Sequence, residues 1–188
     1  MTSPSSKQFH PKMPSEPSGI YIGLGSNLGL GSNTPRDILI ETLELLSRNG
    51  DLVTSLSSFW STKAWPPNLG KPDYLNAVCR IEPADKDPLA LLRRCQGIEA
   101  QMNRVRSPDD RWANRTLDVD IVDYNGIVSV NCSFLTLPHP RIAERDFVLL
   151  PLLEIAPHWR HPVSGTPGHI LLKHLQESEN LNHCVRIA

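Results

Sequence analysis

Apolar and polar positions alternate in two rhythms along the chain. Gly19-Ile20-Tyr21-Ile22-Gly23-Leu24-Gly25 is a short apolar run that reads as a strand ending in a glycine-rich turn. Thr34-Pro35 is a cap followed by a first-turn proline. After it Ile38, Leu39, Thr42, Leu43, Leu45 and Leu46 recur at helical spacing until Asn49-Gly50 stops them. Val53 to Trp60 alternates loosely and predicts a strand, 63–72 carries three prolines and a glycine and predicts a loop, and Tyr74 to Ile81 predicts another strand. Asp87-Pro88 opens a second helix with the stripe Leu89, Leu92, Cys95, Ile98 and Met102. The polar segment 104–114 predicts a mobile loop, Thr116 to Tyr124 a strand, and Asn125-Gly126 a hairpin turn into Ile127 to Val130. Phe147 to Ile155 predicts a helix despite Pro151, and His169 to Glu177 a short final one. This order predicts a single α/β (α+β) domain over 19–188, with a mostly antiparallel sheet flanked by helices.

Residues 1–18 hold four prolines, five serines and almost no large apolar side chain, so a disordered tail is expected there. That segment lacks the apolar core of a signal peptide and has no arginine, which favours a cytoplasmic protein. No apolar run approaches the ~20 residues of a membrane helix. With 19 Lys+Arg against 20 Asp+Glu, the net charge of −1 gives no basic footprint for nucleic acid. Small-molecule partners and a monomer are the expectation. The four cysteines lack metal-site spacing and read as buried thiols in a reducing compartment.

Candidate chemistry concentrates in Arg115-Thr116-Leu117-Asp118-Val119-Asp120-Ile121. Strand alternation turns Leu117, Val119 and Ile121 to the core and places Thr116, Asp118 and Asp120 on the other face, while Asp123 is expected to point away from that pair. Adjacent carboxylates are hard oxygen ligands of the kind Mg²⁺ accepts together with water and phosphate; solvent screening is the plainer explanation of such a pair. Arg104, Arg106, Arg111 and Arg115 crowd next to it, suited to a metal-bound polyphosphate or to pairing with Asp109, Asp110 and Glu99. Trp112 is a lid residue or a buried anchor. The glycines of Gly23-Leu24-Gly25-Ser26-Asn27-Leu28-Gly29 fit no phosphate-loop pattern and read as a tight strand-to-helix connection. Tyr74 and Asn76 share one strand face, as stacking and amide bonding of a flat heterocycle require, or as a buried Tyr with a satisfied Asn would.

Taken in order, Tyr21 to Gly29, Pro72 to Ala77, Gln96-x-x-Glu99, Arg104-Val105-Arg106, Arg111-Trp112-x-x-Arg115-Thr116-Leu117-Asp118-x-Asp120-Ile121, Pro138-His139, Arg145-x-Phe147 and Pro151 to Pro157 resemble the 6-hydroxymethyl-7,8-dihydropterin pyrophosphokinases of folate biosynthesis. The resemblance spans residues 20 to about 175. It implies a ferredoxin-like sandwich that transfers the pyrophosphoryl group of ATP to the pterin hydroxymethyl, releasing AMP. It further implies two Mg²⁺ ions on Asp118 and Asp120, and phosphate contacts from Arg104 and Arg115, which with the two aspartates form the catalytic set. Gln96, Glu99, Arg104, Arg106, Trp112, Arg115, Ile121, His139 and Arg145 match ATP-site positions. Thr62, Tyr74, Asn76, Trp112 and Phe147 match the pterin pocket, with Trp65 close by. Pro140 and Ser107 depart from the family pattern, at a nucleotide-side ring and at a basic position. Two other readings draw on the same residues. A silent partner-binding domain has no need of the paired carboxylates and arginines; another Mg²⁺-dependent nucleotide transferase has no need of Tyr74-x-Asn76 with Phe147.

Overall fold

The computed structural model describes residues 19–64, 70–105, 113–129, 134–178 and 183–187. The expected tail over 1–18, Trp65, Arg106, Arg111, Trp112 and Cys132 lie outside them. The elements run β1 (Ile20–Ser26), α1 (Pro35–Arg48), β2 (Leu52–Leu56), β3 (Phe59–Thr62), β4 (Tyr74–Glu82), α2 (Pro88–Gln101), β5 (Asp118–Tyr124), a single 3₁₀ turn (Ile142–Glu144), α3 (Asp146–Ile155), α4 (Gly168–Glu177) and β6 (Val185–Ile187). The sheet order is β5-β1-β4-β3-β6, with β2 also on β4, and every strand pairing is antiparallel.

Alternation along β1 divides the molecule into three layers. Ile20, Ile22 and Leu24 enter one core with Ile38, Leu39 and Leu46 of α1 and Leu91, Cys95 and Ile98 of α2. Tyr21 turns the other way, into a second core with Val78, Val122, Leu149 and Leu152 of α3 and Leu175 of α4. A mostly antiparallel sheet between helices is therefore confirmed. Both long helices start as their caps dictate. Thr34 and Asp37 form a capping box ahead of α1, and Asp87 accepts the Leu89 N–H at 2.9 Å ahead of α2, with Pro at the first position of each.

Four expectations need correction. The run from Val53 to Trp60 is two strands, not one: the Ser57 hydroxyl takes the Val78 N–H at 3.0 Å and donates to Ser58 O at 2.8 Å, so the chain bends between β2 and β3. The Gly23–Gly25 segment is not a turn but part of β1, which continues through Ser26. Asn125 and Gly126 do take the positive φ values (52° and 70°) of a tight turn, but among the described residues the following segment forms an isolated bridge from Ser129 to Leu137 and not a strand. Asp123 does not point away from Asp118 and Asp120. The register slips between Tyr21 and Ile22, so Asp123 sits opposite Tyr21 while Ile121 sits opposite Ile22. That bulge reverses the alternation and turns Asp123 to the Asp118 face, where it accepts the Trp159 indole N–H at 2.8 Å.

Candidate active site

Directly opposed residues in a sheet share a face, so the register aligns Asp118, Gly25, Asn76 and Trp60 in one row and Asp120, Gly23 and Val78 in the next. The two glycines are where the absence of a side chain matters. A Cβ on Gly25 would lie 3.1 Å from Asn76 Oδ1, and one on Gly23 would lie 3.2 Å from Val122. Above these rows opens a cavity of about 680 Å³ between the sheet and α3, walled by Arg104, Arg115, Asp118, Asp120, His139 and Arg145 on one side and by Thr62, Tyr74, Asn76 and Phe147 on the other.

Asp118 stands between two guanidinium groups, 2.7 Å from Arg104 Nη2 and 2.9 Å from Arg115 Nη1. Arg104 is itself held from behind by Glu99, in the last turn of α2, which is 3% exposed and also accepts the Val119 N–H at 2.9 Å. One buried carboxylate thus orients both the arginine and the strand that carries Asp118. Arg115 is fixed through its backbone: its N–H donates to Asn27 Oδ1 at 2.7 Å, and its carbonyl accepts the Asn27 and Leu28 N–H groups at 3.0 and 3.1 Å. Asn27 Nδ2 donates in turn to Asn114 Oδ1 at 2.9 Å and to Pro72 O at 3.3 Å, joining both halves of the site. Nothing in the polarity pattern singled out Asn27; only its place in the Gly25-Ser26-Asn27 motif did.

Asp120 has a different escort. Arg145 Nη1 lies 3.3 Å and His139 Nε2 3.7 Å from its Oδ2. His139 is pinned to the outer edge of β5, its N–H donating to Val122 O at 2.9 Å, and its Nδ1 accepts the Arg141 N–H at 3.1 Å. Nε2, the other ring nitrogen, faces both Asp120 at 3.7 Å and Arg145 Nη1 at 3.4 Å. Burial holds the His139 pKa below the usual histidine value, with Asp120 opposing that shift and Arg145 adding to it, so the ring is neutral at physiological pH.

The opposite wall is quieter electrostatically. Asn76 Nδ2 donates to Thr62 Oγ1 at 2.9 Å inside the sheet, and the Tyr74 hydroxyl reaches Ala113 O at 3.5 Å. Phe147 lies in the first turn of α3, with the Arg145 guanidinium carbon 5.6 Å from its ring centre. Lys63 and Arg141 also line the cavity, paired with Asp73 at 2.9 Å and Glu144 at 3.0 Å.

The structure thus brings together Thr62, Tyr74, Asn76, Arg104, Arg115, Asp118, Asp120, His139, Arg145 and Phe147. Gln96 and Glu99 line a smaller recess with Ala100 on the far side of Arg104, which borders both spaces. The Ile121 side chain is not in the cavity: it is 4% exposed and packed in the core beneath α1 and α2.

The family model described as 7,8-dihydro-6-hydroxymethylpterin-pyrophosphokinase matches residues 21–157. The 2-amino-4-hydroxy-6-hydroxymethyldihydropteridine pyrophosphokinase of Haemophilus influenzae is 45% identical over 138 residues, covering 72% of this chain and 80% of the relative. The protein of the same name from Porphyromonas gingivalis is 34% identical over 150 residues, 79% of this chain and 97% of its own. Among solved structures, a Plasmodium falciparum HPPK-DHPS with pteroate gives a TM-score of 0.68 at 15% identity, covering 94% of this chain and 47% of that one. The chain spans about half the length of that solved relative, and the likeness at that identity bears on the fold. On the family match and the two curated relatives, this chain belongs to the 7,8-dihydro-6-hydroxymethylpterin-pyrophosphokinase family.

Proposed function

We propose that this chain transfers the pyrophosphoryl group of ATP to the hydroxymethyl group of 6-hydroxymethyl-7,8-dihydropterin, as a step of folate biosynthesis, with AMP as the other product. The observation that carries the reading is the division of one cavity. Two carboxylates flanked by arginines form one wall, and an amide, a hydroxyl and two aromatic rings form the other.

Asp118 and Asp120 fit a magnesium site. They are neighbours on one strand face, their side chains are 24% and 41% exposed toward the cavity, and hard carboxylate oxygens are their only donors. Mg²⁺ ordinarily uses one or two carboxylates and completes its shell with water and phosphate, so no third protein ligand is required. When bound, two such ions would neutralise the triphosphate and favour the charge shift of the transfer.

The protein's own part is positioning and charge placement, which is most of what phosphoryl-type transfer asks. A guanidinium carries five donors, so Arg104, Arg115 and Arg145 can reach phosphate oxygens beside their bonds to the carboxylates. Gln96 and Glu99, in the recess behind Arg104, are assigned to the ATP side; Arg106 and Trp112 keep the ATP and pterin roles that the family resemblance implies. Thr62 and Asn76 offer a hydroxyl and an amide to the edge of the pterin, with Tyr74 and Phe147 for its faces. His139 has Nδ1 engaged and a depressed pKa, which suits a neutral positioning group. No side chain is cast as general base.

The test is direct. Incubated with ATP, Mg²⁺ and the hydroxymethyl-dihydropterin, the protein should release AMP. ADP as the nucleotide product, or no turnover, refutes the reading. The free, buried Cys79 and Cys95 support a reducing, cytoplasmic setting. Among the described residues no helix is long and apolar enough to cross a membrane.

A further inference from the structure

The family match ends at residue 157, and the chain continues into α4 and β6. β6 pairs antiparallel with β3, placing Val185 opposite Ser61, Arg186 opposite Trp60 and Ile187 opposite Phe59. The ladder stops one residue short of Thr62, and Arg186 falls in the same cross-strand row as Asp118, Gly25, Asn76 and Trp60. Its Nε lies 2.9 Å from Ser58 Oγ and 3.0 Å from Glu154 Oε1 on α3, while the Ser58 N–H donates to Glu154 Oε2 at 2.7 Å. Two residues earlier, the Cys184 thiol meets Asp146 at the start of α3. Asp146 is 1% exposed and accepts the N–H of Phe147 at 2.8 Å.

This short segment therefore grips β3 along its edge and α3 at both ends. Those two elements carry Thr62 and Phe147. Val185 and Ile187 stay 62% and 36% exposed, so β6 adds little to either core. Its effect on the molecule is geometric: it converts β3, only four residues long, from an edge strand into an internal one.

We propose that the C-terminal strand is a clasp that sets the width of the pterin pocket, with Arg186 as the positioning residue that locks β3 to α3. The proposal rests on the assignment of Thr62, Asn76 and Phe147 to the pterin. Because the clasp spans β3 and α3 and leaves the Asp118, Asp120 and Arg104 wall untouched, its loss should be felt by one substrate alone.

The test compares R186A, R186K and F147A in the full chain. KM for each substrate, kcat, and pterin affinity in the presence of a non-hydrolysable ATP analogue are measured together with Tm. R186A should weaken pterin binding about threefold to fivefold, the scale of a partly exposed ion pair. KM for ATP, kcat and Tm should stay near wild type, and R186K should recover part of the loss. Truncation after residue 182 should show the same selectivity with a larger effect. If F147A loses pterin affinity while R186A and the truncation do not, the clasp is overturned and the pocket stands. If none of the three alters pterin binding, both fall. If KM rises equally for both substrates while Tm drops, β6 is general scaffolding and the clasp is overturned.

Discussion

Removing Arg94 isolates what holds the scaffold from what performs the chemistry. Arg94 on α2 forks onto Asp51, at the entry to β2, through Nε to Oδ2 and Nη2 to Oδ1, both at 2.8 Å. The Asp51 side chain is fully buried, and its Oδ1 also accepts the Ala84 N–H at 3.0 Å. Arg94→Met keeps the aliphatic stem and deletes both charged donors, so the carboxylate retains the Ala84 N–H alone of these three bonds. Two charge-assisted bonds at ~1.5–3 kcal/mol each give ~3–6 kcal/mol, and breaking a buried ion pair from one side costs ~3–5 kcal/mol. The third bond of Arg94, 2.7 Å to the half-exposed Asp85, adds under ~1 kcal/mol. The variant should therefore lose about 4 kcal/mol, or roughly 8–16 °C in Tm at ~2–4 °C per kcal/mol for a chain of this size. Urea unfolding and calorimetry read the loss. Adding Asp51→Asn removes the stranded charge and should return ~1–2 kcal/mol, a sign that only burial of an unpaired charge produces. Turnover per folded molecule at low temperature should match wild type, because neither residue borders the cavity. A loss below ~1 kcal/mol, typical of surface pairs, or a double variant no better than the single one, would refute the reasoning.

Three further outcomes follow from the site. Asp120→Ala should cut Mg²⁺-dependent AMP release by about 10²–10³, the usual cost of removing a main electrostatic group from a transfer site, while the fold persists; turnover near wild type would sink the metal assignment. Gly25→Ala should raise KM for the pterin more than KM for ATP, because the added methyl meets Asn76 Oδ1 at 3.1 Å; equal changes in both would show that Gly25 does not shape the pterin end. Asp123 accepts N–H groups from both Trp159 and Gly126, and Asn can offer an acceptor to only one of them, so Asp123→Asn should cost ~1–3 kcal/mol. Burial raises the Asp123 pKa above its usual value, so its favourable contribution is complete below the unfolded pKa and declines as pH rises through the folded one. The wild-type advantage over Asp123→Asn should accordingly shrink as pH rises above the ordinary carboxylate range in urea titrations.

The sequence made the helices legible because their ends are written locally, in Thr34-Pro35 and Asp87-Pro88, and their buried stripes repeat at helical spacing. It made the carboxylate pair legible because period-two alternation leaves Asp118 and Asp120 no other common face. What it concealed depended on partners distant in the chain. The bend at Ser57 comes from a hydroxyl bonded to Val78, and the bulge that reverses Asp123 comes from the register with β1. Gly23 and Gly25 resemble turn glycines until β4 and β5 close in on either side, after which their bare backbones become the floor of the site. β6 is three exposed residues held by the open edge of β3 and by the bonds of Arg186 to Ser58 and Glu154, partners that lie far away in the chain.

Burial also sorts the charges by role. Asp51 with Arg94, at 0% and 19% side-chain exposure, and Glu99 with Arg104, at 4% and 10%, are pairs too dry to trade partners at low cost. Asp118 with Arg115, at 24% and 29%, and Asp120 with Arg145, at 41% and 21%, face a wet cavity where exchange costs little. Arg104 belongs to both groups: one side of its guanidinium is committed to Glu99, and the other meets Asp118 at the cavity wall. An arginine anchored at one end and exchangeable at the other keeps its position as charge moves past it. Under the proposed reading that is the property a transferring phosphate group requires, and the near-neutral sum of 19 against 20 charges conceals it.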